Sequence, residues 1–214
     1  MSGIALAMSP LFPGVTMSRH AATSLARAAR QFAGVGLIAS LAAPAVAQAA
    51  DDKVFGWVEK ATIEPWGVMV KAKLDSGALT SSMHAENIET FERDDEEWVR
   101  FDVEVEDEAK GDKVENTFER PLYRDLTVSG AGGRDTRPVV LMTLCMGGER
   151  YEEQFSLRDR DGMNYPVLLG RRTIQSLGVL DVRKTFQTSP DCAEDAPLHR
   201  YEDKEYSDRI GAAS

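Results

Sequence analysis

The chain has 214 residues, with 25 basic and 35 acidic side chains and a formal charge of −10. That length suits one domain of ordinary size with appendages. The acidity argues against DNA, RNA or an anionic membrane surface as the main partner, because such binding needs clustered Lys and Arg.

The first 49 residues do not read as folded domain: they hold no acidic residue, and Arg19, Arg27 and Arg30 are their strong charges. An apolar stretch of 12 residues, FAGVGLIASLAA (32–43), precedes Pro44 and the small-residue run AVAQAA. A basic flank, a short apolar core and an A-x-A exit predict an export signal over residues 1–49. Cleavage is expected after Ala49 or, second, after Ala47. Met17 offers a more conventional start than Met1. The alternative is an uncleaved N-terminal anchor, although a comfortable span takes about 20 apolar residues. The expected mature chain is periplasmic or secreted, with no integral membrane span. Losing three arginines leaves it 22 basic against 35 acidic residues, a charge of −13.

Downstream, the pattern is mostly period two, the spacing of half-buried strands. VFGWVEKATI (54–63) reads as a strand ended by Glu64-Pro65. Val68, Val70, Ala72 and Leu74 alternate with polar or flexible positions in a second strand ending at Asp75. WVRFDVEVE (98–106) alternates most cleanly, and residues 116–123 resume an extended pattern after a charged turn. PVVLMTLCM (138–146) is apolar nearly throughout, as a strand covered on both faces would be. Gly147-Gly148 signals a hairpin turn into a strand over 151–157. Val167 to Leu169 is a short strand, and Arg171 to Leu177 is the one convincing helix.

These elements predict a mainly β domain over residues 50–190, arranged as a closed barrel or a sandwich. The tail over 191–214 is polar and acidic and is expected to be loose. Cys145 and Cys192 could pair in an oxidising compartment, or Cys145 could be a buried free thiol; their spacing does not decide.

Taken alone, Asp75-Ser76-Gly77 is an ordinary turn composition. Its context differs, for an apolar strand runs directly into D-S-G-A, and Leu168-Leu169-Gly170 follows some ninety residues later. The pieces KAKLDSGALTSSMHA (71–85), RPVV (137–140) and MNYPVLLGRR (163–172) resemble the retropepsin-like aspartic proteases. They are most similar to the bacterial branch labelled ATP-dependent zinc protease. The resemblance covers about residues 54–185. It departs at Ser76, where Thr is common, and at Leu79 and Pro166, where basic residues are expected.

The resemblance implies a retropepsin-like small closed β-barrel with one short helix after the LLGRR strand. It also implies an aspartic peptidase in which two carboxyl groups share one proton and activate water. Asp75, Ser76 and Gly77 are then the catalytic segment, supported by Ala78, Leu168, Leu169 and Gly170. Only one Asp-Ser/Thr-Gly is present, since Asp135-Thr136 is followed by Arg137. The active site would therefore need a homodimer, each chain giving one Asp75 across a twofold axis.

Gly130, Gly132 and Gly133 mark a candidate flap hairpin, with a plain surface loop as the alternative. Arg134, Arg137, Arg171 and Arg172 are candidate contacts to a peptide or protein substrate with acidic groups. Structural ion pairing is the competing role, above all for Arg137. No cofactor is expected, because a P-loop lysine motif is missing. His84 is only a weak metal candidate, since one histidine among scattered acids falls short of a catalytic zinc set. The alternative function is a non-catalytic periplasmic peptide-binding or accessory module with the same fold.

Overall fold

A computed structural model describes residues 52–130, 133–207 and 209–211. The expected export signal lies outside the described residues, as do Ala131 and Gly132. In chain order the strands are β1 (Val54–Glu64), β2 (Val68–Leu74), β3 (Ser81–His84), β4 (Glu86–Arg93), β5 (Glu96–Glu106) and β6 (Lys113–Pro121). They continue with β7 (Arg124–Gly130), β8 (Gly133–Met146), β9 (Glu149–Arg158) and β10 (Val167–Leu169). Helix α1 (Arg171–Leu177), β11 (Val179–Thr185) and β12 (Leu198–His199) complete the described elements, with a 3-10 turn at Tyr201–Asp203.

The expected mainly β architecture with one helix is what forms. Strand β1 pairs with β2, β2 with β10, β10 with β3, β3 with β9, β9 with β8, and β8 returns to β1. This ring is closed, yet it is not a uniform barrel. The return contact spans only Thr62↔Cys145, Ile63↔Leu144 and Glu64↔Thr143. Strands β11 and β7 extend the ring on β1 and β8, and β4-β5-β6 form a separate antiparallel sheet.

Alternation in the sequence becomes alternation in burial. Val68, Val70, Ala72 and Leu74 are buried on β2, and Val99, Phe101, Val103 and Val105 are buried on β5. Phe101 stacks on Phe118, with Trp66 edge-on to Phe118, and both sheets share one apolar cluster. Each such buried side chain contributes about 1.5–3 kcal/mol relative to exposure. The β8–β9 turn uses positive φ at both Gly147 and Gly148, the geometry that matches strand twist.

The tail departs from expectation. Cys192 is disulfide-bonded to Cys145 of β8, and β12 adds to the edge of β9. His199 stacks on Tyr151 and bonds Glu149 Oε2 at 2.8 Å. Lys204 forms a buried ion pair with Glu153 and donates to Glu152 O. Low apolar content suggested a loose segment; the disulfide, strand addition and buried ion pair tie residues 192–204 down instead.

Candidate active site

Asp75 leaves the end of β2 with its N–H bonded to Leu169 O at 2.8 Å. Strand β10 runs parallel to β2, setting Leu168 opposite Lys73 and Leu169 opposite Leu74. The two motifs, distant in sequence, are thus neighbouring strands. The turn closes through Ala78 N to Asp75 O, and Gly77 N–H donates to Asp75 Oδ1 at 2.9 Å. A Cβ at Gly77 would stand 3.0 Å from that same oxygen, so glycine leaves room for the carboxylate.

Gly170 joins the motifs from the other side. A Cβ there would meet Leu79 O at 2.7 Å and the Leu79 and Thr80 carbonyl carbons at 2.8 Å. Its N–H donates to Ser81 Oγ, which also lies 2.7 Å from Thr173 Oγ1 of α1. Arg171 N–H donates to Ala78 O, and Arg171 Nη1 donates to Ser76 O at 2.9 Å. Arg171 Nε donates to Ile210 O of the tail.

Asp75 is partly exposed, and one lysine pairs with it directly. Lys73 Nζ lies 3.1 Å from Asp75 Oδ2. Burial alone would push the Asp75 carboxyl up. The Gly77 N–H, the Lys73 ammonium and the Ala78 N–H outweigh burial and hold it below the usual carboxylate range. Arg160, buried after β9, feels the charges of Asp75 and Arg137, and burial lowers its pKa. Its Nε donates to Tyr165 O.

The arginines singled out from sequence divide in their roles. Arg171 staples the Asp75–Ala78 segment to α1 and the tail. The Arg172 guanidinium sits over the Tyr206 ring at 6.0 Å. Arg137 donates to Asp135 Oδ2 at 2.5 Å and is mostly covered, while Arg134 stands opposite Ser129 on the β7–β8 hairpin. Gly130 and Gly133 pair at the end of that hairpin. At its base, Arg124 Nη2 donates to Thr80 Oγ1 at 3.2 Å, tying the hairpin to the segment after Asp75. Sequence reasoning passed over Lys73, Arg124 and Arg160. Lys73 was readable, because residues i and i+2 of a strand share a face; what ties Arg124 to Thr80 and Arg160 to His84 is long-range.

His84 is buried and stands apart from Asp75's hydrogen bonds. Its Nδ1 accepts the Arg160 N–H at 3.0 Å, so a neutral ring carries its hydrogen on Nε2, 3.8 Å from Glu86. That tautomer cannot ligate a metal through Nε2. Among the described residues no group of three or more His, Cys, Asp or Glu could hold a metal ion. This donor set does not fit zinc, and no chemistry is assigned to a metal. A cavity of about 550 Å³ opens elsewhere, between Pro65, Leu122, Tyr123 and Met142, and no residue of the Asp75 segment lines it.

A closed β ring that presents strand–Asp-Ser-Gly beside an apolar–apolar–Gly strand defines a chain of the aspartic-peptidase fold carrying one carboxylate. The chain belongs to the RimB-like family, described as retropepsin-like aspartic endopeptidase RimB, whose model matches residues 54–190. It is similar to a crystal structure of a Legionella pneumophila protein of unknown function. The identity is 31% and the TM-score 0.56, covering 65% of this chain and all of the other. It is also 34% identical over 131 residues to a Desulfotalea psychrophila protein named "Probable alpha-L-glutamate ligase", covering 60% of this chain and 28% of that one. A Shewanella pealeana protein of the same name is 32% identical over 118 residues, covering 55% of this chain and 25% of its own length. The chain thus spans about a quarter of the length of these relatives.

Proposed function

We propose that this chain is an exported aspartic-type peptidase that works as a homodimer, with two Asp75 carboxyls sharing one proton. One carboxylate takes a proton from water as it attacks the scissile carbonyl. The other carboxyl donates its proton to the carbonyl oxygen. The observation that carries this reading is Asp75 itself: a partly exposed carboxylate, held at Oδ1 by Gly77 N–H and fastened through its backbone to Leu169. Each chain supplies half a centre, and the partner supplies the other half.

Substrates with acidic side chains fit the surroundings, because Lys73 pairs with Asp75 and Arg160 interacts with its charge in an otherwise acidic protein. The glutamate ligase name of the longer relatives points the same way, toward glutamate-rich peptide tails. Export is supported by the composition of residues 1–49 and by the Cys145–Cys192 disulfide.

The test is Asp75→Asn, which keeps shape and removes the ionisable group. Wild type incubated with glutamate-rich peptides at mildly acidic pH cuts them, and the folded variant does not. Cleavage surviving in Asp75→Asn, or a strictly monomeric active protein in sedimentation, refutes the mechanism.

A further inference from the structure

We infer that Lys73 is a positioning residue that sets the proton affinity of the Asp75 carboxyl and, through it, the pH range of the catalytic pair. The inference rests on the peptidase reading for its catalytic half and on geometry alone for the rest. Lys73 and Asp75 are two residues apart, so both side chains leave the same face of the extended chain. The backbone of Lys73 is held on both sides, opposite Val58 of β1 and Leu168 of β10. From that fixed origin its ammonium reaches Asp75 Oδ2 at 3.1 Å, while Oδ1 is occupied by Gly77 N–H.

The arginines of the neighbouring segments are committed elsewhere. From the segment after β9, Arg160 spends Nε on Tyr165 O. From α1, Arg171 spends Nη1 on Ser76 O and Nε on Ile210 O. Among the described residues, Lys73 is the one cation in direct ion-pair contact with Asp75.

A carboxyl pair works while it holds one proton. A twofold axis that brings two Asp75 side chains together also brings two Lys73 ammoniums. Each favours the fully ionised pair, so the shared proton leaves at lower pH than it would without them. Lys73 thereby confines cleavage to acidic conditions. It also lets two like-charged carboxylates meet without prior protonation, since each brings its own counter-charge.

Lys73→Met removes the cation and keeps the side chain's length; Lys73→Arg keeps the charge. Two readouts are taken: the pH titration of the Asp75 carboxyl carbon by NMR, and the pH–rate profile on a glutamate-rich peptide. Matching far-UV spectra and thermal midpoints establish that the variants fold. In Lys73→Met the titration moves to higher pH, and the basic limb of cleavage follows, raising the rate at pH 7 relative to the optimum by about three- to ten-fold. Lys73→Arg stays close to wild type. An unchanged carboxyl titration in folded Lys73→Met overturns the inference even if Asp75→Asn abolishes cleavage. A shifted titration together with cleavage that survives Asp75→Asn supports the ion pair's control of Asp75 and refutes the peptidase reading alone.

Discussion

Replacing Gly170 by alanine tests whether the two motif segments depend on backbone contact. The φ of −82° at Gly170 suits any residue, so conformational strain plays no part. The cost is steric: the new methyl would lie 2.7 Å from Leu79 O and 2.8 Å from two backbone carbons. Backbone cannot swing aside as a flexible side chain does, so residues 78–80 or the start of α1 must shift by most of an ångström. Overpacking of this kind costs about 1–3 kcal/mol. The same shift strains three further contacts: Gly170 N–H to Ser81 Oγ, Arg171 N–H to Ala78 O and Arg171 Nη1 to Ser76 O. A total near 3 kcal/mol lowers the thermal midpoint by roughly 6–12 °C for a domain of this size. The assay is thermal unfolding followed by circular dichroism, with peptide cleavage measured well below the transition. Cleavage should fall along with stability, because the displaced segment closes the turn on Asp75 through Ala78 N–H. A Gly170→Ala protein with an unchanged midpoint and unchanged cleavage refutes this account of how the motifs are joined.

Gly77→Ala separates the site from the fold. Its methyl would press on Asp75 Oδ1 at 3.0 Å in an exposed turn, so cleavage should drop at least ten-fold while the thermal midpoint moves by less than about 3 °C. Equal loss of both would mean that the turn is structural. Glu149 predicts a pH dependence far from Asp75. Lys53 first, then His199 and Tyr151, hold its carboxyl at about 2 against the opposing effect of burial. The folded value lies below the unfolded one near 4.5, so the stabilisation is complete above pH 4.5 and is lost as pH falls toward 2. Urea unfolding should show Glu149→Gln less stable than wild type by roughly 2 kcal/mol at pH 7, allowing for solvent screening. The gap should shrink below pH 4; a constant gap from pH 7 to pH 3 would assign the loss to packing.

Much of the β domain was legible because burial followed period two. The stretches 54–63, 68–74, 98–106 and 138–146 announce themselves as strands through alternating or continuous apolar residues. Strand β3 did not, although all four of its residues are buried. Two of the four are serines, satisfied by Ser82 Oγ to Ser156 O, Ser156 Oγ to Ser81 O and the Ser81–Thr173 contact. A polar sequence buried by mutual hydrogen bonding carries no hydropathy signal. Strands β7 and β11 were also silent, since most of their positions face outward or are half-covered. The tail misled for a related reason: its order comes from a disulfide, an added strand and a buried Lys–Glu pair, none of which needs apolar residues.

The candidate site shows the same division at finer scale. Asp75 and Leu168-Leu169-Gly170 could be read because chemistry and backbone both demand particular residues there. Arg171 was legible as a cation, while its carbonyl contacts were not. Its guanidinium spans Ser76 O and Ile210 O, holding the loop after Asp75 between α1 and the tail. That placement changes what the tail does. A segment anchored by Cys192 and Lys204 ends on the arginine that holds the loop after Asp75. Its contacts therefore bear on the position of Asp75 as well as on stability. On the proposed peptidase reading, Arg171 builds the half-site, Lys73 sets its charge, and Arg160, which interacts with Asp75, remains to meet an acidic chain.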